Sequence, residues 1–264
     1  DTTTGPLGQG ISNAVGMAIG AKNLAARFNI IDNESLGSGL YNKKNYNLID
    51  HKIYCFVGDG CLMEGISHEV CSLAGTLKLN NLICIWDDNG ISIDGEVKNW
   101  FTENIPDRFR SYGWEVIENT NGHDFQEIYN SIDFAKNNNS NKPVLICCKT
   151  KIAHGSPNFA DKSSAHGAPL GSEEIELIKN NLNWNFKDFE VPEIVYQELD
   201  NKKYGQQIES EWQEKLLLYK KNYPEKYAEF NRITNTNLVK NWSAARQEFL
   251  KNNINTSHKK ISNA

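Results

Sequence analysis

Two short runs, Gly58-Asp59-Gly60 and Asp87-Asp88-Asn89, carry residue types that can hold a divalent cation and a phosphate. Asp and Asn both offer side-chain oxygens. Two such oxygens, with few other protein ligands, suit Mg²⁺. That ion prefers hard oxygens at about 2.0–2.1 Å and takes much of its shell from phosphates and water. Gly60 leaves space where a phosphate could approach the start of a following helix. Thirty residues separate Asp59 from Asn89, the length of one strand–helix–strand unit. Both then lie on one edge of a parallel sheet, where open α/β sheets bind ligands. Each run also has a blander assignment: Asp59 could cap the next helix, and Asn89-Gly90 could make a turn. Other motifs are excluded. Gly90 is fourth counting from Asp87, whereas an EF-hand loop needs its glycine sixth. There is no G-x-x-x-x-G-K-[S/T], and the opening glycines read G-x-x-G-x-G rather than the dinucleotide G-x-G-x-x-G.

The elements that must position these runs follow from periodicity. HKIYCFVGDG (51–60) reads as a strand ending in a glycine-flanked turn, 64–79 has helical spacing, and LICIWD (82–87) is a second strand. WEVIE (114–118) and PVLICCKT (143–150) are further strands, with a helix over 124–138 between them. Residues 7–28 form a helix with Gly10, Ala14, Ala18 and Ala21 on one close-packing face, and 29–50 reads as a surface loop. Alternating strands and helices predict an α/β fold: an open, mostly parallel sheet with helices on both faces. After about residue 172 only polar, amphipathic helices remain. We place one domain at 1–185 and a helical extension at 186–264.

Composition narrows the function classes. The 264 residues carry a net charge of −5, which argues against an electrostatic nucleic-acid binder. No apolar run approaches the roughly 18–20 residues of a membrane span. The six cysteines include no C-x-x-C pair, and the adjacent Cys147 and Cys148 point to opposite faces of a strand. A reduced, cytoplasmic protein is expected. The chain opens with Asp1 rather than Met, and no strand precedes Gly5, so a segment ahead of Asp1 is expected.

GDG, about thirty residues, then Asn resembles the thiamine-diphosphate signature. GDGCLMEGISHEVCSLAGTLKLNNLICIWDDNGISIDG (58–95), TTTGPLGQGISNAVGMAIGAK (2–22) and SPNFADKSSAHGAPLG (156–171) are similar to transketolase segments, in the same order. SHKKISNA at the end resembles the entry to that family's next domain. The resemblance implies thiamine diphosphate and Mg²⁺, with Ca²⁺ or Mn²⁺ as substitutes. Asp59, the Asn89 side chain and the Ile91 carbonyl would hold the metal. Gly60 and His166 would contact the diphosphate, and His166 would also face the donor sugar as the catalytic candidate. Gly5, Pro6 and Leu7 would line the thiamine end, while Ile91 and Ile93 would press on the thiazolium.

Glu64 and Glu69, read as lying within one helix on different faces, match glutamates at the family's subunit contact. The implied activity is transfer of a two-carbon ketol unit between sugar phosphates in the pentose phosphate pathway. A homodimer partner would supply the pyrimidine-binding domain, and the family's cofactor-activating glutamate lies there. This chain alone would then be inactive. Three rivals stand beside this reading: a dihydroxyacetone synthase, a non-catalytic or metal-binding subunit of a split enzyme, and a nicotinamide-dependent dehydrogenase. His154 sits where the family varies, and His68 reads as a helix surface or interface residue. Cys61 and Cys71 read as core, and Trp86, Trp100 and Trp114 read as packing.

Overall fold

The computed structural model describes residues 2–36 and 40–253; the run SHKKISNA lies outside them. In chain order the first elements are α1 (Gln9–Phe28), β1 (Ile30–Leu36), β2 (Leu40–Tyr46), β3 (Ile53–Gly58), α2 (Asp59–Met63) and α3 (Gly65–Thr76). Next come β4 (Leu82–Asp88), β5 (Ile91–Ser92), β6 (Gly95–Glu96), α4 (Ile105–Ser111), β7 (Glu115–Asn121), α5 (Phe125–Asn137) and β8 (Val144–Lys149). The chain closes with α6 (Ser172–Asn181), α7 (Glu193–Leu199), α8 (Lys202–Asn222), α9 (Pro224–Thr234) and α10 (Trp242–Asn253). It divides into two compact units, Asp1–Asn29 with Ile49–Asn201, and Ile30–Leu48 with Lys202–Ala264.

The first unit is built on a four-stranded sheet in the order β3-β4-β8-β7, with every pairing parallel. Strand periodicity of two sorts its side chains into two cores. Leu82, Cys84 and Trp86 of β4 and Leu145 and Cys147 of β8 face one core, with residues of α1, α3 and α4. Ile83 of β4 and Val144, Ile146 and Cys148 of β8 face the other, where Ala135 and Ile132 of α5 cover them. Cys147 and Cys148 therefore diverge as expected, and all six cysteines are free thiols. The strand-register pairs Gly58 with Asp87 and Asp88 with Lys149 bring the carboxyl ends of β3, β4 and β8 level.

Glycine permits two close approaches here. A Cβ on Gly75 of α3 would stand 1.8 Å from the Tyr112 carbonyl oxygen. Gly8, at the start of α1, has φ +80, and a Cβ there would lie 2.8 Å from Ile66 Cγ2. It satisfies both a left-handed backbone and a tight contact, which only glycine does without strain.

The second unit corrects one expectation. Part of the stretch read as a loop over 29–50 forms an antiparallel hairpin, β1 against β2. Few apolar residues alternate there, so local pattern gave no strand signal. The hairpin end packs on α8 and the residue just past it: Tyr46 meets Tyr219 and Tyr223 edge-on at 5.9 and 5.6 Å. Trp212 Nε1 and Lys215 Nζ donate to the Leu48 and Asn47 carbonyls at 3.0 and 3.2 Å.

Candidate functional site

Asp59 is the first residue of α2, and it is 4% exposed. Its side chain caps no helix. Oδ1 accepts from Trp86 Nε1 at 3.1 Å, and Oδ2 accepts from the Gly90 backbone N–H at 3.0 Å. The carboxylate thus bridges the ends of β3 and β4. Burial pushes its pKa up to about 6, with Asp88 and Asp87 adding to the rise and the bonds from Trp86 and Gly90 opposing it. Among the described residues no cation pairs with this carboxylate, and a bound cation would supply the compensating charge.

Asn89 and Gly90 make a turn. Asn89 Oδ1 accepts from the Ile91 N–H at 2.9 Å, and Gly90 has φ +69. Asn89 Nδ2 donates to Asp87 Oδ2 at 3.2 Å, while Thr150 Oγ1 donates to Asp87 Oδ1. Asp88 is ion-paired with Lys149. Both acids at the end of β4 are therefore engaged with neighbours, while Asp59, after β3, is buried facing Asn89's turn. β5 and β6 form a two-residue hairpin that buries Ile91 and leaves Ile93 71% exposed at its tip.

The donors decide whether a divalent cation fits. No group of three His, Cys, Asp or Glu residues that could hold a metal occurs among the described residues. A carboxylate, an amide oxygen and a backbone carbonyl are hard neutral or anionic donors, too few to close a shell. That set suits Mg²⁺ sharing its sphere with phosphate oxygens, and it does not suit zinc.

The other expected residues gather along the same edge. An open cleft of about 550 Å³ is lined by Asp87, Asn89, Thr150, the 151–153 stretch and His166. His166 follows a short 3₁₀ turn over Ser163–Ala165 and donates its backbone N–H to the Ser163 carbonyl at 2.9 Å. Buried Glu174 anchors the loop leading to it, accepting from Ser156 Oγ, Asn158 N and Asn158 Nδ2. Those bonds hold the Glu174 carboxyl below the usual range. Gly60 faces Leu7, whose Cδ1 would lie 3.2 Å from a Cβ at that position. Gly5, Pro6 and Leu7 are exposed beside it, Leu7 at 52%.

Several assignments change. Glu64 is not within a helix: it stands in extended backbone at the break between α2 and α3, while Glu69 is inside α3. Both are exposed. His68 is half-buried; its Nδ1 pairs with Tyr112 Oη at 3.0 Å and its Nε2 with Arg108 Nη1 at 3.2 Å. Trp100 is exposed rather than packed. Trp86 is packed as expected, and its indole also orients Asp59. The missed signal is parity: Trp86 and Asp88 share one face of β4, next to the end of β3.

A parallel sheet with a buried carboxylate bridging two strand ends is the arrangement in which open α/β proteins bind ligands, at the carboxyl edge of their strands. Within that class, the model of the family "Transketolase, thiamine diphosphate binding domain" matches residues 1–239, and the chain belongs to this family. Transketolase 1 of Vibrio cholerae is 50% identical over 252 residues, covering 96% of this chain and 36% of that protein. Transketolase 1 of Escherichia coli is 49% identical over 250 residues, covering 95% and 36%. The chain thus spans about a third of the length of these curated relatives. The structure of Pichia stipitis transketolase in complex with sedoheptulose 7-phosphate superimposes with TM-score 0.82 at 40% identity, over 92% of this chain and 34% of that one. The transketolase of Leishmania mexicana gives 0.80 at 38% identity, with the same coverage.

Proposed function

We propose that this chain supplies the diphosphate- and metal-binding part of a transketolase, which transfers a two-carbon ketol unit from a ketose phosphate to an aldose phosphate. The observation that carries the reading is the buried Asp59 carboxylate. It joins two strand ends at the edge that also holds Asn89 and His166, in a chain of the thiamine diphosphate binding family.

The residues divide the work. Asp59, the Asn89 amide oxygen and the Ile91 carbonyl would hold Mg²⁺, with Ca²⁺ or Mn²⁺ able to replace it. Trp86 and Gly90 fix the Asp59 carboxylate, so the metal ligand is oriented before the ion arrives. Gly60 and His166 would meet the diphosphate. Gly5, Pro6 and Leu7, with Ile91 and Ile93, would exclude water from the ring system. Thiamine diphosphate supplies the electron sink for carbon–carbon cleavage when bound. His166, exposed at the cleft, would donate a hydrogen bond to an oxygen of the donor sugar. Glu64 and Glu69 would meet a second copy of the protein, whose pyrimidine-binding part completes the site.

Transfer from xylulose 5-phosphate to ribose 5-phosphate tests the reading. The full-length protein should catalyse it with thiamine diphosphate and Mg²⁺, and the 264-residue chain by itself should not. Transfer to formaldehyde in preference to ribose 5-phosphate would instead mark a dihydroxyacetone synthase. No transfer to either acceptor by the full-length protein would refute the proposal.

A further inference from the structure

A pair of imidazoles stands behind the cleft wall, outside the residues matched to the family's site. His123 and His154 stack with ring centroids 3.8 Å apart and planes at 14°. His123 lies in the turn between β7 and α5. Its backbone N–H donates to Asn121 Oδ1 at 3.0 Å, and its Nε2 accepts from the Lys151 backbone N–H at 2.9 Å. Gly122 makes this approach possible: its N–H donates to the Lys149 carbonyl at 2.8 Å. A Cβ on Gly122 would stand 2.4 Å from Thr150 Cγ2 and 3.1 Å from that same carbonyl.

The stretch that His123 grips is the one that lines the cleft. Lys151, Ile152 and Ala153 share that cleft with Asn89 and His166. The backbone there is left-handed at Ala153 (φ 50) and at Gly155 (φ 88). A non-glycine residue keeps such a conformation only when its surroundings hold it. Three bonds do so: Ser156 N–H to the Ala153 carbonyl at 3.0 Å, Asp161 N–H to the Ile152 carbonyl at 3.1 Å, and Lys151 N–H to His123.

A ring nitrogen that accepts a backbone N–H carries no proton, so His123 is neutral here with its proton on Nδ1. Taking a second proton removes the acceptor and sets a cation face to face with the His154 ring. Partial desolvation by its neighbours lowers the His123 pKa from its ordinary value, as do His154 and Lys151, while Asp87 at the end of β4 and Asp161 of the loop oppose them. Both rings are exposed, so solvent protons reach them freely.

We propose that His123 is a positioning residue for the cleft: its neutral imidazole holds the 151–153 wall through Lys151, and protonation as pH falls releases that wall. The latch stands on geometry alone; its consequence for cofactor binding rests on the function proposed above.

Hydrogen exchange at the Lys151 amide, expressed as protection over its intrinsic rate, tests the latch without any ligand. Protection should fall about fivefold between pH 7.5 and pH 5, the scale of one modest hydrogen bond. His123→Gln offers a neutral acceptor and should make protection independent of pH. His123→Phe keeps a ring for stacking, loses the acceptor, and should show the low protection at both pH values. The Ile146 amide in the sheet reports whether each variant is folded; if His123→Phe fails there, the His123→Gln pH profile decides. Wild-type protection that does not change with pH, or full protection in a folded His123→Phe, would overturn the latch. Calorimetry with thiamine diphosphate and Mg²⁺ on the full-length protein then reads the consequence. His123→Phe should weaken binding about threefold to fivefold, and His123→Gln should not. Lost protection with unchanged affinity would overturn the link between this wall and the ligand while leaving the latch in place.

Discussion

Asp59 shows how one side chain is set by its neighbours. Its folded pKa lies above the ordinary carboxylate value, so the folded state binds the proton more tightly than the unfolded one. The stabilisation this gives is full below about pH 4 and is lost as pH rises through about 6. Trp86 counters the loss by donating to the charged form. Trp86→Phe should therefore cost more stability at pH 8 than at pH 5, by about 1–2 kcal/mol in metal-free urea unfolding. In an Asp59→Asn background that pH dependence should vanish, while any packing cost of the smaller ring stays constant. That Asp59 and Asn89 share a sheet edge was legible in the sequence, because thirty residues span one strand–helix–strand unit. The indole was not, since a Trp in an apolar run reads as core, and here it is core and hydrogen-bond donor at once. The grip of His123 on Lys151 was equally hidden: it joins a turn to a loop 28 residues away, and no local pattern encodes it.

Elements with strong periodicity were read correctly, and those that depend on distant partners were not. The strands β3, β4 and β8 and the helices α1, α3 and α5 carry their apolar spacing in the sequence. β1 and β2 are strands because they pair with each other, next to Tyr46, which meets Tyr219 far along the chain. α4 was missed although its signals are local: Asn104 caps it by accepting from the Asp107 N–H, and Pro106 sits in its first turn. Seven residues leave too little periodicity to register. The contact of α3 with the turn before β7 yields a firm prediction. Gly75→Ala would drive a Cβ into the Tyr112 carbonyl, and Trp114, whose Nε1 donates to the Cys71 carbonyl at 2.8 Å, blocks an easy shift. Denaturant unfolding should show a loss of about 2–3 kcal/mol. Gly16→Ala, on the same kind of helix but with open space around it, should be neutral or slightly stabilising.

At the scale of the whole molecule, one sheet edge carries the proposed reading. Its oxygen donors are few, its cleft is open, and the chain spans about a third of the length of its relatives. No described helix is long and apolar enough to cross a membrane, and the net charge of −5 argues against an electrostatic nucleic-acid binder. The edge was legible because sheet topology concentrates ligand chemistry at strand ends; the pairing of the hairpin with α8 in the second unit was not, because it joins segments far apart in sequence. The central claim is that Asp59 anchors a metal–diphosphate at this edge. Its most direct test is a calorimetric titration of thiamine diphosphate into the full-length protein, wild type and Asp59→Ala, with Mg²⁺ and with a chelator. Mg²⁺-dependent binding that weakens at least about 100-fold in Asp59→Ala, about 2.7 kcal/mol, is the predicted result. Equal affinity in both proteins would contradict it.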